Sequence, residues 1–365
     1  MTDEIVVRAL VARGVNQGLA IEDVHLPPPG PGEVRVRIRA AGVCHSDLSM
    51  VNGTLAPPFP LVLGHEAAGV VAAVGPGADR AEVGDHVVLN WSPACRECWF
   101  CRRGEPWLCV TSGTPAAVRG AAADGTPMHV TLGLGALADE VVVPAAAVIP
   151  VPADLRFDVA ALLGCAVLTG MGAVRNTAAV AAGDSVLVIG LGGVGLAAVT
   201  AARAAGADPV LAADVSPAKQ ELALAAGATE FLTSDETLPK AVRSRTGGRG
   251  VDHAFECVGR SVTIQAAWRS SRRGGHVTVI GMGRRDDLVT LPALDIFHWA
   301  RTLRSSVYGS SDPDREVPEL AAAVLAGTLD LNPLITHRTT LDGATDAFDR
   351  MARGEGARSV VLFDG

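Results

Sequence analysis

The chain has 365 residues, 48% of them hydrophobic, and a net charge of −8. That length favours two domains and supports a sizeable core, while the absence of any long run of Lys and Arg excludes a nucleic-acid partner. The opening "MTDEIVVRALVARG" has early acids and no basic stretch before an apolar run, so no secretory signal is expected and the cytoplasm is the expected location. One window, Ser185 to Ala202, carries no charge for eighteen residues. Its central glycines divide it into strand, turn and helix, so no membrane association is expected.

In chain order, the residues before about Leu163 read as short strands such as "GEVRVRIRAAGV" and "GVVAAVG", punctuated by the turns "PPPGPGE" and "VGPGADR". This pattern predicts an irregular antiparallel barrel. Cys44 lies in "GVCHSDLSM", and His65 with Glu66 follows in "LGHEAAGVV". Next comes "CRECWFCRRGEPWLC", which spaces Cys95, Cys98, Cys101 and Cys109 as C-x2-C-x2-C-x7-C. Disulfides are rare in a reducing compartment, and short loops between thiolates let them converge on one ion. Four thiolates suit a closed, structural Zn2+ site, and an iron–sulfur cluster uses similar ligands. Arg96, Arg102 and Arg103 are expected either to offset thiolate charge or to be ordinary solvated residues. Cys165 lies in "LLGCAVLTG". Cys44, His65 and Cys165 have the ligand types of a catalytic zinc with an open fourth position, although spacing alone does not bring them together; a small buried cysteine and a structural histidine are the plainer readings.

The segment "DSVLVIGLGGVGLAAVTAARAAGADPVLAAD" then predicts a buried strand, a glycine turn and a helix closed near Gly206. Gly190, Gly192 and Gly195, with Gly193 and Val194 between them, form G-x-G-x-x-G. The first glycine permits the turn, the second lets backbone approach a pyrophosphate, and the third allows helix–strand packing. A second strand ends at Asp214, nineteen residues beyond Gly195. An acid there accepts ribose hydroxyls and repels a 2′-phosphate, favouring NAD over NADP, though it can also merely cap the next helix. Strands at "GATEFLTS", "GVDHAFECVG" and "GGHVTVIGMG" continue the alternation of a doubly wound parallel sheet, with "RTLRSSVYG" at its edge. Cys257 reads as a core thiol.

With these motifs in place, "GVCHSD", "GHEAAG", the four-cysteine segment and "GLGGVG", the chain resembles the zinc-dependent medium-chain alcohol dehydrogenases over essentially its whole length. The resemblance implies an α/β protein with a GroES-like β-barrel catalytic domain over residues 1–163, its structural zinc lobe at 91–111. A Rossmann domain over 164–300 and a sheet-edge strand with a carboxyl-terminal return over 301–365 complete the expected division. It implies two Zn2+ per subunit, one structural on the four cysteines and one catalytic on Cys44, His65 and Cys165, and NAD between the domains. Asp47 matches a carboxylate that orients the zinc-bound imidazole, Glu66 a residue that approaches the metal during ligand exchange, and Ser46 the hydroxyl that accepts the substrate proton. Thr169, Val194 and Met282 match neighbours of the nicotinamide, His45 and Arg358 pyrophosphate contacts, and Lys219 a position near the adenosine ribose. Leu55, Trp91 and Leu137 match an apolar substrate pocket, although each could equally belong to the core.

The implied reaction is hydride transfer between NAD(H) and a primary alcohol or aldehyde with an alkyl, allylic or benzylic tail, by a homodimer joined at the Rossmann sheet edge or a tetramer. Two departures stand out. Ser49 occupies the place where many relatives end the proton relay in a histidine. Glutathione-dependent relatives carry an aspartate at Gly53 and an arginine near Gly113, both missing here, which disfavours S-hydroxymethylglutathione. Similarity of "GHEAAG" and "LGCAVLTG" to mycothiol-dependent formaldehyde dehydrogenases keeps a different thiol adduct open. A nucleotide-binding protein without catalysis is the alternative from another class, but such relatives usually lose zinc ligands that this chain keeps.

Overall fold

Alternation in the first half of Glu33–Val43 sends Val34, Val36 and Ile38 inward with no exposed surface, while Arg35 and Arg37 lie on the opposite face and pair with Glu140. That strand is the spine of a computed structural model that describes residues 4–55, 57–112 and 117–364. The chain divides into two compact units. One comprises residues up to Leu168, Asp312–Arg353 and Arg358 onward; the other comprises Thr169–Ser311 with Gly354–Ala357.

The first unit holds a closed barrel of Ile5–Ala12, Leu19–Leu26, Val118–Ala122, Pro127–Val130 and Leu61–Val62. Beside it runs a seven-stranded sheet in which Glu33–Val43 pairs with Ala67–Val74, with Glu140–Pro144 and, antiparallel, with the carboxyl-terminal Arg358–Leu362. Ser359 lies opposite Val43 in that last pairing, so the return strand delivers Arg358 to the end of the central strand, next to Cys44.

The second unit is a six-stranded parallel sheet. Its order is Glu230–Thr233, Val210–Asp214, Val186–Ile189, Val251–Glu256, Ser271–Val279 and Thr302–Ser305. The apolar window splits as its glycines dictate, into the strand Val186–Ile189 and the helix Gly193–Ala204. Gly206, at φ +80°, takes the left-handed position just past that helix. Among the described residues no single helix is long and apolar enough to cross a membrane.

Candidate active site

Cys44 caps the helix His45–Val51 at the end of the central strand, His65 lies between Leu61–Val62 and Ala67–Val74, and Cys165 sits between the helices Phe157–Leu163 and Ala166–Gly172. Their ligand atoms lie within 4.8 Å of one another, and all three residues are buried. Cys165 Sγ is 3.4 Å from His65 Nε2. Two tetrahedral zinc ligands of these types stand about 3.6 Å apart, so the set fits one ion. The other ring nitrogen, Nδ1, lies 3.0 Å from Asp47 Oδ2, and Asp47 Oδ1 accepts the Gly64 N–H at 2.9 Å. The imidazole is thereby held with Nε2 directed at the thiolates, the arrangement a metal-ligating histidine needs. Gly64 must be glycine: it has φ +100°, and a Cβ there would meet the Leu137 backbone nitrogen at 2.3 Å.

Glu66 has no exposed surface, accepts the Ala166 N–H at 3.2 Å and lies 3.3 Å from Arg358 Nη2. Burial pushes its carboxyl up to about 7, although the guanidinium opposes this. Arg358, matched to a pyrophosphate contact, is only 4% exposed and donates to the Val43 carbonyl at 2.8 Å. It lies beside the metal ligands, paired with Glu66. Ser46 Oγ lies 3.9 Å from Cys44 Sγ. Of the expected pocket residues, Leu55 and Trp91 are half-buried against the core, while Leu137 has no exposed surface and is packed within it.

Cys95, Cys98, Cys101 and Cys109 also converge, with sulfurs 4.0 Å apart in the pairs Cys95–Cys101 and Cys98–Cys109. Tetrahedral zinc thiolates stand about 3.8 Å apart, so this set fits a closed site. Burial pushes Cys101 up to about 12; Cys109, despite burial, is brought down to about 5 by the Cys95 N–H and Thr111. Thiols so close cannot all ionise without a cation, and a metal removes the remaining protons. The three nearby arginines each have a partner away from the sulfurs. Arg96, at φ +63°, reaches Asp312 at 2.7 and 2.8 Å and Asp314 at 2.5 Å, ahead of and within the helix Pro313–Leu325. Arg103 covers the Trp99 ring at 4.5 Å, and Arg102 donates to the Glu97 carbonyl at 2.5 Å.

In the second unit, Gly190 turns at φ +92°, a Cβ on Gly195 would meet the Gly190 carbonyl at 1.9 Å, and nothing lies within 4 Å of a Cβ on Gly192. An open Gly192 ahead of uncapped amides fits a pyrophosphate. Asp214 accepts the Leu191 and Ser216 N–H groups at 2.8 and 3.0 Å, so it shapes the turn while staying half-exposed. Buried Lys219 gives its ammonium to the Gly356 carbonyl, with Asp214 nearby in charge. Gly170, next to half-buried Thr169, packs on the Val194 carbonyl, where its Cβ would come within 2.3 Å. His45 and Met282 are exposed, and Cys257 is half-buried just past its strand.

The family described as alcohol dehydrogenase GroES-like domain matches residues 30–153, and that described as zinc-binding dehydrogenase matches 193–326. S-(hydroxymethyl)glutathione dehydrogenase of Escherichia coli O1:K1 is 37% identical over 98% of this chain and 99% of its own. The chain belongs to the zinc-dependent medium-chain alcohol dehydrogenase family. Among solved structures, an alcohol dehydrogenase zinc-binding domain protein from Burkholderia ambifaria superposes with a TM-score of 0.93 at 32% identity, covering 100% of both chains. Benzyl alcohol dehydrogenase from Acinetobacter calcoaceticus does so with 0.89 at 26%, covering 99% of this chain and 100% of that one. This alcohol dehydrogenase-type oxidoreductase thus joins a GroES-like domain to a doubly wound parallel sheet, and its two sulfur-rich clusters are of the kind that binds zinc.

Proposed function

We propose that this family member is an NAD-dependent zinc dehydrogenase of primary alcohols, or reductase of the matching aldehydes, with an apolar tail. The convergence of Cys44, His65 and Cys165 on one point, with Asp47 behind the imidazole, carries the reading. Zinc at that point supplies a Lewis acid for an alcohol oxygen, and the dinucleotide supplies the hydride acceptor. Ser46 accepts the alcohol proton. Ser49 continues no histidine relay, so that proton passes to water. Asp47 keeps His65 in its tautomer and orientation throughout, and Glu66 with Arg358 forms a buried pair beside the metal ligands. Leu55 and Trp91 offer apolar surface to the tail. Asp214 favours NAD by accepting ribose hydroxyls and repelling a 2′-phosphate. We place the enzyme in the cytoplasm, where its cysteines stay reduced, as a dimer through the edge strand Thr302–Ser305.

A second reading, oxidation of a thiol–formaldehyde adduct, draws support from the relatives named S-(hydroxymethyl)glutathione dehydrogenase. Gly53, exposed at φ +81°, carries no acid to bind a glutathione amine, which favours a mycothiol adduct over a glutathione one. The position near Gly113 lies outside the described residues. Absorbance of NADH formed from benzyl alcohol, from alkyl alcohols, and from formaldehyde with either thiol separates the readings. Turnover of benzyl alcohol with NAD, lost in Cys165→Ala, is the expected result; turnover only with a thiol adduct would replace the first reading with the second. Full activity in Cys165→Ala would overturn both.

A further inference from the structure

Glu256 ends the strand Val251–Glu256 with no exposed surface and, among the described residues, no ion pair. Its oxygens instead face donors from the loop that follows. Oε1 accepts Val258 N and Gly259 N, each at 2.9 Å, and Thr263 Oγ1 at 2.7 Å; Oε2 accepts Gly259 N at 3.1 Å. Its backbone carbonyl accepts Ile280 N at 2.7 Å and Gly281 N at 3.0 Å from the end of the neighbouring strand. Burying a carboxylate without a countercharge is costly, and an apolar residue would pack the strand end without that cost. The bonds go to one loop, so the cost maintains a loop shape.

That shape reaches further. A Cβ on Gly190 would meet Val258 Cγ2 at 2.5 Å, so the loop leans on the first glycine of the nucleotide turn. A Cβ on Gly281 would lie 2.1 Å from Gly259 N, and one on Gly283 2.6 Å from Gly259 O. The two loops thus interlock backbone to backbone, and Met282 stands between the two glycines. In the sheet, the strand of Asp214 flanks Val186–Ile189 on one side and the strand of Glu256 flanks it on the other. A dinucleotide with its adenosine ribose at Asp214 and its pyrophosphate at the glycine turn continues over the loops beyond Glu256 and Val279.

We propose that Glu256 is a positioning residue for the nicotinamide half of the cofactor, fixing residues 257–260 directly and residues 281–283 through them. The proposal rests on the dinucleotide reading given above. A glutamine at 256 turns an amide donor toward at least one of the loop's donors, so Glu256→Gln loosens the loops without changing side-chain size. Titrations with NADH and with ADP-ribose, which lacks the nicotinamide, separate local from general damage. Glu256→Gln is expected to weaken NADH binding about ten-fold or more, the effect of losing one hydrogen bond to a charged group, and to leave ADP-ribose affinity unchanged. Equal weakening of both ligands, or unchanged NADH affinity, would overturn the proposal. Wild-type protein that binds neither ligand would overturn the dinucleotide reading itself. If Glu256→Gln fails to fold, Thr263→Val removes one donor to the same carboxylate. It is then expected to weaken NADH selectively, and unchanged NADH affinity in it rejects the assignment.

Discussion

Asp47 divides its two oxygens between the Gly64 amide and His65 Nδ1, and both it and the imidazole are shut off from solvent. The carboxylate thus acts on the metal through the ring it holds. Asp47→Asn keeps the size but weakens the charge behind the imidazole, and outer partners of this kind contribute about 10–100-fold to metal affinity or activity. Dialysis against a graded chelator should strip one zinc from Asp47→Asn at a concentration the wild type withstands. Equal retention would remove Asp47 from the site. Ser46 is a separate matter, because it is not itself one of the three metal ligands, although its hydroxyl lies 3.9 Å from Cys44 Sγ. Ser46→Ala should lower the rate of alcohol oxidation by about 10²–10⁴-fold, the range of general acid–base groups. NADH affinity and zinc content should not change. An unaltered rate would exclude the hydroxyl as proton acceptor.

Among elements, the four-cysteine lobe is tied to the rest of its unit by Arg96, which bridges to Asp312 and Asp314. Its metal therefore supports folding, and Cys101→Ser should retain one zinc per chain instead of two and melt at a lower temperature. Normal zinc content with an unchanged melting curve would refute the lobe. In the parallel sheet, Asp252 accepts Ser185 N at 2.9 Å, Ser185 Oγ at 2.6 Å and Arg272 Nε at 2.5 Å, joining three neighbouring strands at their amino ends. Burial opposes ionisation there, but these partners win and lower its pKa to about 2. The folded value lies below the unfolded one, so the contribution is full above about pH 4 and fades as pH falls toward 2. Asp252→Asn should lower the melting temperature at pH 7 and by much less near pH 2.5; an equal loss at both would show that charge is not the cause. Such partnerships also mark the limit of what sequence reveals. The glycine turn is legible because each glycine answers a local backbone demand, at Gly190 by φ and at Gly195 by contact. The lobe is legible because its ligands fall within fifteen residues. Arg96 and Arg358 are not, since their partners Asp312 and Val43 stand 216 and 315 positions away. Only the folded pairing of the return strand with Glu33–Val43 brings Arg358 to Glu66.

For the whole molecule, the parallel sheet ends in Thr302–Ser305, which pairs with Ser271–Val279 and has no strand on its other side among the described residues. An open edge of this kind is a template for another chain unless it is covered. Leu303 on that edge is 43% exposed, and the preceding helix Ala293–Trp299 presents Leu294, Ile296 and Phe297 at 73, 50 and 85%. Exposed apolar side chains near a free edge favour association, and a two-fold axis across the edge would pair the strand with its own copy antiparallel. Sedimentation at micromolar concentration should give the mass of a dimer or of a dimer of dimers. Phe297→Asp with Leu303→Lys places charge at the centre of that surface and should shift the species toward the mass of one chain. Zinc should stay bound in the variant, because its ligands lie in the other unit. A wild-type protein that sediments as one chain, or a variant that keeps the wild-type mass, would locate the contact elsewhere or remove it.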